Sequence, residues 1–247
     1  MEELLLKKRI AELRKRAEFS FQTEFTDFLN LSEIEASKTM LSGSNYMFYG
    51  GIADAERRML CIAPEQVTIS PEMFPICGIR IIPKNIKFAE EFSHRDVLGS
   101  VLGLGLERAV IGDIYVKGKE AYVLCAEHIA DFLVGQLLQI RHTNVVCKIA
   151  QAEETEFTKE FQVIQRTVSA NRIDAVAAAA FGVSRSSAVA AISGGKGFIN
   201  GREITSPSVI VKEQDIISFR GYGKVKLKEI GGLTKKGRIA VVLERYK

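Results

Sequence analysis

The 247-residue chain lacks any apolar run long enough to cross a bilayer, and this absence is the first limit on its function. Its opening, MEELLLKKRIAELRKR, is charged throughout and has no uninterrupted apolar centre of the kind a secretory signal carries. A cytoplasmic protein with no membrane partner is expected. Proline is scarce at five residues, and 47% of the chain is hydrophobic against 26% charged. Disordered chains are poorer in apolar residues, so stable folding is expected. Cysteine is sparse as well: Cys61, Cys77, Cys125 and Cys147 lie 16, 48 and 22 positions apart, with no CxxC pair or neighbouring histidine cluster. That spacing argues against a zinc site and for reduced, buried thiols; no metal and no other cofactor is implied.

Catalytic signatures are thin too. Ser93-His94-Arg95-Asp96 contains the HRD triplet of protein kinases, but no DFG triplet or glycine-rich phosphate loop accompanies it. Gly99, Gly103 and Gly105 do not form GxGxxG after a strand, and read as packing and exit positions of a helix. No catalytic residue is assigned, and His94 and Arg95 are read as structural.

What is present is a strong charge asymmetry. Residues 170–247 hold 14 Lys/Arg against 6 Asp/Glu, a balance of +8, whereas residues 1–169 hold 20 against 24. A basic C-terminal segment of this kind is the electrostatic footprint of a nucleic-acid module, because phosphate neutralisation supplies most non-specific affinity.

The length suits two or three small domains, and the pattern of elements reads as α+β. Residues 1–74 form a small α/β module. Its first helix, Glu2 to Phe19, turns Leu5, Ile10, Leu13 and Ala17 inward and a basic face outward. A second helix follows at about Ser32 to Leu41, and YMFYGGIADAERRMLCIAP reads as two strands around a glycine-rich turn. Residues 75–152 run βαββαβ: strand 78–82, helix 95–104, strands 109–116 and 121–125, helix 126–140 and strand 145–149. That order predicts a ferredoxin-like domain akin to RNA-recognition modules, with both helices on one face of an antiparallel sheet. The other face is expected to be free, with Tyr115 and Tyr122 as its aromatic residues, too few for sequence-specific base stacking. Glu153 to Arg166 reads as a polar strand or link.

The third domain, 169–247, opens with two short helices joined at Gly182. Ile173, Val176, Ala177 and Ala180 face inward on the first, leaving Arg172 beside the small Ala175 and Ala179. Ser184 is a natural N-cap for the second, whose Ala188, Val189 and Ile192 are buried before Gly194-Gly195 ends it. Arg185 then sits in the first turn, where unpaired N–H groups and the helix dipole favour phosphate. Strands follow in GFIN, EIT, VIVKEQD, IISFRG, KVKLKEI and RIAVVLERYK, with a tight Asn200-Gly201 turn. Lys196 precedes the first strand, and Arg220 opens Arg220-Gly221-Tyr222-Gly223-Lys224, where cations flank a stackable ring.

R-I-D at Arg172, S-R-S at Ser184, G-K-G-F-I-N-G at Gly195, the P-S-x-x-V spacing from Pro207 and D-I-I-S-F-R-G at Asp215 together resemble the RNA-binding domain named after ribosomal small-subunit protein four. By that resemblance Arg172, Ser184, Arg185, Ser186, Lys196, Asn200 and Arg220 line an RNA-facing groove. The structural alternatives are a turn for Asn200, a cap for Ser184 and simple solvation for Ser186. Arg185 has little evident packing use, so it is the clearest RNA ligand.

With GGIADAERRML near the N-terminus, FSHRDVLGSVLGLGLERAVIGDIYV in the middle and this RNA-binding domain at the C-terminus, the whole chain resembles the YlmH family of bacterial proteins. The resemblance implies a ribosome-associated quality-control factor; a monomer is expected, and no enzyme, because no separate catalytic domain of adequate size remains. It would engage ribosomal RNA and tRNA on large subunits blocked by peptidyl-tRNA, with an older suggested link to cell division. The rival reading is an RNA-modifying enzyme such as a pseudouridine synthase with the same RNA-binding appendage, since Arg172-Ile173-Asp174 resembles the RLD of those enzymes.

Overall fold

The computed structural model describes residues 2–150 and 161–246. The chain divides into two compact units, Met1–Thr158 and Lys159–Lys247. Among the described residues it is a mixed α+β protein with six α-helices and three antiparallel sheets.

The first unit begins with α1 (Glu2–Phe19), β1 (Glu24–Phe25), α2 (Leu31–Lys38), β2 (Asn45–Tyr49) and β3 (Met59–Ala63), the strands ordered β1-β3-β2. Asn30 starts α2 through a reciprocal capping box, its Oδ1 accepting from Glu33 N at 3.0 Å while Glu33 Oε2 accepts from Asn30 N at 2.7 Å. The apolar run of β3 is buried on both faces. Leu60 and Ile62 meet Ile10, Leu13 and Ala17 of α1, whereas Met59 and Cys61 join the next core. Leu5, expected inward, is 60% exposed. Leu6 takes its place, because Leu6, Ile10, Leu13 and Ala17 fall on one helical stripe and Leu5 lies about 100° from it.

The second sheet comprises β4 (Ile76–Pro83), β5 (Ile111–Lys117), β6 (Glu120–Ala126), β7 (Gln139–Ile140) and β8 (Thr143–Ile149), in the order β5-β6-β4-β8-β7. Between these strands lie α3 (His94–Leu102) and α4 (Ala130–Gln136). Val97 and Val101 of α3 and Ala130 and Leu133 of α4 share one core with Ile79, Ile81, Val123 and Cys125. Phe28 and Phe74 lie in that same core, so apolar packing is continuous across residue 74. The HRD string is a helix start: Ser93 caps α3, and Asp96 Oδ2 accepts from Ser93 N at 2.9 Å. The helix expected from Ala126 starts with a short 3-10 turn and ends earlier, and the unforeseen β7 follows it.

The far face of this sheet is not free. Tyr115 and Tyr122 are 6% and 1% exposed and cluster with Leu124, with Ile52 and Ala150 packed against them. The covering loop, residues 50–58, is pinned by Asp113, whose carboxylate accepts from the amides of Glu56 at 2.7 Å and Arg57 at 3.0 Å and from Tyr115 Oη at 3.1 Å. The Arg57 guanidinium donates to the carbonyls of Phe28 and Ile111. GGIADAERR and ERAVIGDIY are thus two halves of one interlocked substructure. The free face failed as an expectation because a loop from outside the βαββαβ pattern closes it.

The second unit holds β9 (Phe161–Val168), α5 (Ile173–Phe181), α6 (Arg185–Ser193), β10 (Gly197–Ile199), β11 (Arg202–Glu203), β12 (Ile216–Phe219), β13 (Gly223–Leu233) and β14 (Ile239–Tyr246). Its sheet runs β11-β10-β12-β13-β14-β9. Of the polar strand or link expected over 153–166, residues 153–160 lie outside the described residues. The remainder is strand: it belongs to β9, which pairs with β14 along its whole length, so the sheet extends upstream of Ser169. VIVKEQD is not a strand. Asp215 folds it into a turn by accepting from Lys212 N at 2.8 Å, and only Ile210 bridges, to Arg172.

All four cysteines are free thiols; Cys61, Cys125 and Cys147 are buried and Cys77 is half-buried. Burial pushes Cys125 up to about 12 and Cys61 and Cys147 to about 11. No single helix among the described residues is long and apolar enough to cross a membrane.

Candidate nucleic-acid interface

The helix pair of the second unit is made by its punctuation. Arg172 occupies the N-cap of α5, Gly182 ends that helix in the left-handed conformation at φ 69°, and the chain bends by 114° into α6. Ser184 caps α6, its Oγ accepting from Ser187 N at 3.0 Å, and its hydroxyl lies 2.8 Å from that of Ser186. The exposed start of α6 therefore presents two hydroxyls, Arg185 and the positive end of the helix dipole.

Beneath them lies a carboxylate that the sequence pattern did not single out as a site residue. Asp174, in the first turn of α5, has a side chain only 4% exposed. Its Oδ2 accepts from Arg185 at 2.6 Å and from Arg172 at 3.3 Å, and its Oδ1 accepts from Ala175 N at 2.9 Å. Burial opposes its ionisation. The hydrogen bond from Arg185, the charges of Arg185 and Arg172, and the Ala175 amide outweigh burial and hold the carboxyl below its ordinary range. One buried anion thus orients two guanidinium groups that remain 39% and 52% exposed. Arg185 consequently has a packing partner, contrary to the expectation from sequence. The available signal was a lone charge in the otherwise apolar helix IDAVAAAAF. Arg172 Nε is buried with no hydrogen-bond partner among the described residues.

An open groove of about 420 Å³ runs beside this cluster, lined by Ala175, Ala178, Ala179 and Val183, with Arg185 and Arg238 also on its walls. Small side chains keep it shallow enough for a backbone to approach. Arg238 is steadied by Thr167, donating to its Oγ1 at 3.0 Å and its carbonyl at 2.6 Å.

Lys196 and Arg220 form a second grouping at one end of β10 and β12. Arg220 N donates to Lys196 O at 2.9 Å, both side chains are exposed, and the Arg220 guanidinium lies 4.7 Å from the centre of the Phe198 ring. Tyr222 is 37% exposed and tilts against Phe181, with ring centres 6.3 Å apart. Asn200 belongs to neither grouping. It sits at the other end of β10 with φ 49°, followed by Gly201 at 76°, the pair of positive angles a two-residue type I′ turn requires. Its amide donates to Asp215 Oδ1 at 2.8 Å and its carbonyl oxygen accepts from Ile216 N at 2.9 Å. Both ends of that side chain serve the turn. Among the described residues no group of three or more His, Cys, Asp or Glu is placed to hold a metal ion.

Two family models match the chain. The "Putative RNA-binding domain in YlmH" covers residues 74–154, and the S4 domain covers residues 172–217. The chain is 30% identical over 242 residues to the ribosome-associated protein quality control protein P2 of Bacillus subtilis (strain 168), spanning 96% of this chain and 92% of that protein. The chain belongs to the YlmH family. The structure of the YlmH cell division protein from Streptococcus pneumoniae matches with a TM-score of 0.56 at 20% identity, over 63% of this chain and 94% of that one, a likeness of fold. Two of the three features on which the YlmH resemblance rested lie in the first unit, and the third, the S4 domain, lies in the second and contains the Arg172–Asp174–Arg185 cluster.

Proposed function

We propose that this YlmH-family protein is a ribosome-associated, RNA-binding quality-control factor that acts without catalysis on large ribosomal subunits still carrying peptidyl-tRNA. The observation that carries the reading is the pair of solvent-facing arginines held by buried Asp174 at the capped start of an S4 helix pair. Pre-oriented guanidinium forks suit bidentate phosphate contacts, because less side-chain entropy is lost when RNA arrives. Arg172, Arg185, Ser184, Ser186, Lys196 and Arg220 are the proposed RNA-facing residues; Asn200 shapes the turn instead. The near full-length match to a protein named for ribosome-associated quality control supports the ribosomal setting.

Three modules, 1–74, 75–152 and 169–247, are the proposed division of labour, the first two sharing a core. The strand order β5-β6-β4-β8 and the shared packing of α3 and α4 support a ferredoxin-like assignment for the middle one. One basic module alone binds many RNA folds weakly, whereas linked modules raise effective concentration at a composite site. The pseudouridine synthase reading is disfavoured because Asp174, the would-be catalytic aspartate of R-I-D, is buried under two arginines and is not offered to a base.

The test is gradient fractionation of cell extract with and without a translation-stalling agent, followed by RNA crosslinking. Enrichment on large subunits that retain tRNA is expected. Recovery only in ribosome-free fractions at low salt, or crosslinks mainly to messenger RNA, would overturn the proposal.

A further inference from the structure

The middle of the chain matches a domain described as RNA-binding, yet the sheet face that RNA-recognition modules use is closed here, with Tyr115 and Tyr122 buried. RNA contact in this unit therefore requires another surface. The loop after β4 supplies one. Ile86 and Phe88 are 64% and 77% exposed, the most exposed large apolar side chains of the central sheet and its loops among the described residues. Leaving a phenylalanine in water forgoes most of the stabilisation its burial would bring, so the fold alone gives no reason for it.

Lys87 and Lys119 lie beside this pair of residues. Lys87 Nζ lies 5.7 Å from the centre of the Phe88 ring. The loop is fastened to the β5–β6 turn by Lys119, which donates to Ile86 O at 2.9 Å, and by Phe92 N, which donates to Gly118 O at 2.8 Å. That fastening brings Lys84 and Lys87 of the loop together with Lys117 and Lys119 of the turn. Of the acids in or beside these segments, Glu120 is bound by Arg80 at 2.8 Å and Glu90 lies 3.4 Å from Arg141, while Glu91 is exposed. A local basic patch with an aromatic tip thus stands within the half of the chain whose overall balance is acidic.

We propose that Phe88, with Ile86 beside it and Lys84, Lys87, Lys117 and Lys119 around it, is a second RNA contact that takes an unpaired base of a single-stranded segment. An exposed ring offers a stacking platform to any base, and lysines at its rim neutralise the flanking phosphates without reading sequence. A duplex, whose bases are already stacked, gains nothing from the ring. This inference rests on the RNA-binding reading of the whole protein but not on the S4 cluster, which lies in the other unit.

The experiment measures binding of the full-length protein to a short fluorescent single-stranded RNA and to the same sequence as a blunt duplex. Because Phe88, Lys84 and Lys87 are exposed, Phe88→Ala and the double variant Lys84→Gln/Lys87→Gln are expected to fold normally, which circular dichroism checks. Phe88→Ala should weaken single-strand binding roughly tenfold and leave duplex binding unchanged. The lysine double variant should flatten the logarithmic salt dependence by about 1.4, at about 0.7 for each phosphate no longer neutralised. Thiouridine-containing RNA should crosslink to the peptide holding Phe88. If Phe88→Ala binds single strands like the parent while Lys196→Ala/Arg220→Ala binds more weakly, the Phe88 site is overturned and the S4 reading stands. If none of the variants affects RNA affinity, both fall. Loss of ribosome association in Phe88→Ala with intact affinity for naked RNA would mark a protein contact and overturn the proposal as well.

Discussion

Arg185 of α6 reaches back across the helix junction to donate a 2.6 Å hydrogen bond to Oδ2 of Asp174 on α5. The contact ties a cation proposed to face RNA to a buried anion, so on that proposal binding and stability share one side chain. Arg185→Ala is expected to lower stability by about 1–2 kcal/mol, because Asp174 keeps Arg172 and the Ala175 amide but loses its shortest partner, and the half-exposed arginine is partly screened. The same variant should weaken RNA binding by about 1–3 kcal/mol at matched salt. Urea denaturation and an RNA titration well below the unfolding midpoint separate the two effects. Unchanged stability would show that the Asp174 contact contributes nothing.

The pH dependence follows from the same carboxylate. Asp174 is held below its ordinary range in the folded protein despite its burial, and an unfolded aspartate titrates near about 3.9. On acidification the unfolded chain takes up its proton first. The stabilisation is therefore fully present above about pH 4 and is lost as pH falls through the lower folded value. The stability gap between the parent and Asp174→Asn should be constant near neutrality and narrow below about pH 4. A gap that widened on acidification would contradict this sign.

Asn200 separates turn chemistry from RNA recognition. Asn200→Ala should cost about 1–2 kcal/mol, through the loss of two hydrogen bonds and a side chain forced into the left-handed region, while RNA affinity of the folded protein stays at the parental level. Asn200→Gly keeps the backbone freedom and loses only the hydrogen bonds, so its stability should fall between the two. A large loss of RNA affinity in either variant would return Asn200 to the interface.

The elements whose cause is local were legible in the sequence. Ser184 caps α6 and Gly182 ends α5 through their own backbone chemistry, and Asn200-Gly201 closes a hairpin because both residues tolerate positive φ. Relationships that depend on distant segments were not. Asp174 sits in a noticed triplet, but its link to Arg185 depends on the 114° bend between helices. The β9 strand is polar because only Ile164 and Val168 of its eight residues are buried, so its pairing with β14 leaves a weak alternating signal. The closed sheet face depends on Asp113 holding amides 56 and 57 positions away in sequence, which no local pattern encodes.

That closed face yields the last prediction. Gly78 in β4 stands opposite Leu124 of β6, and a Cβ added there would lie 1.8 Å from Tyr122 Oη and 2.6 Å from the Ala150 carbonyl oxygen. The Tyr122 ring occupies the space above Gly78, 1% exposed, with its hydroxyl donating to Ala150 O at 3.3 Å. Gly78→Ala should therefore cost about 1–3 kcal/mol or more, since the ring must leave its place and the packing around Leu124 and Ile52 must shift with it. Tyr122→Leu should also be destabilising, but it shortens the group that Gly78→Ala strikes. The double variant should thus lose less than the sum of the two single losses, a coupling read from urea denaturation of all four proteins. Simple additivity would mean that the ring does not limit residue 78. The cycle carries a functional reading too: a buried tyrosine supports the domain from inside, so Tyr122→Leu should lower stability while leaving RNA affinity of the folded protein intact. A stacking platform would give the opposite pattern.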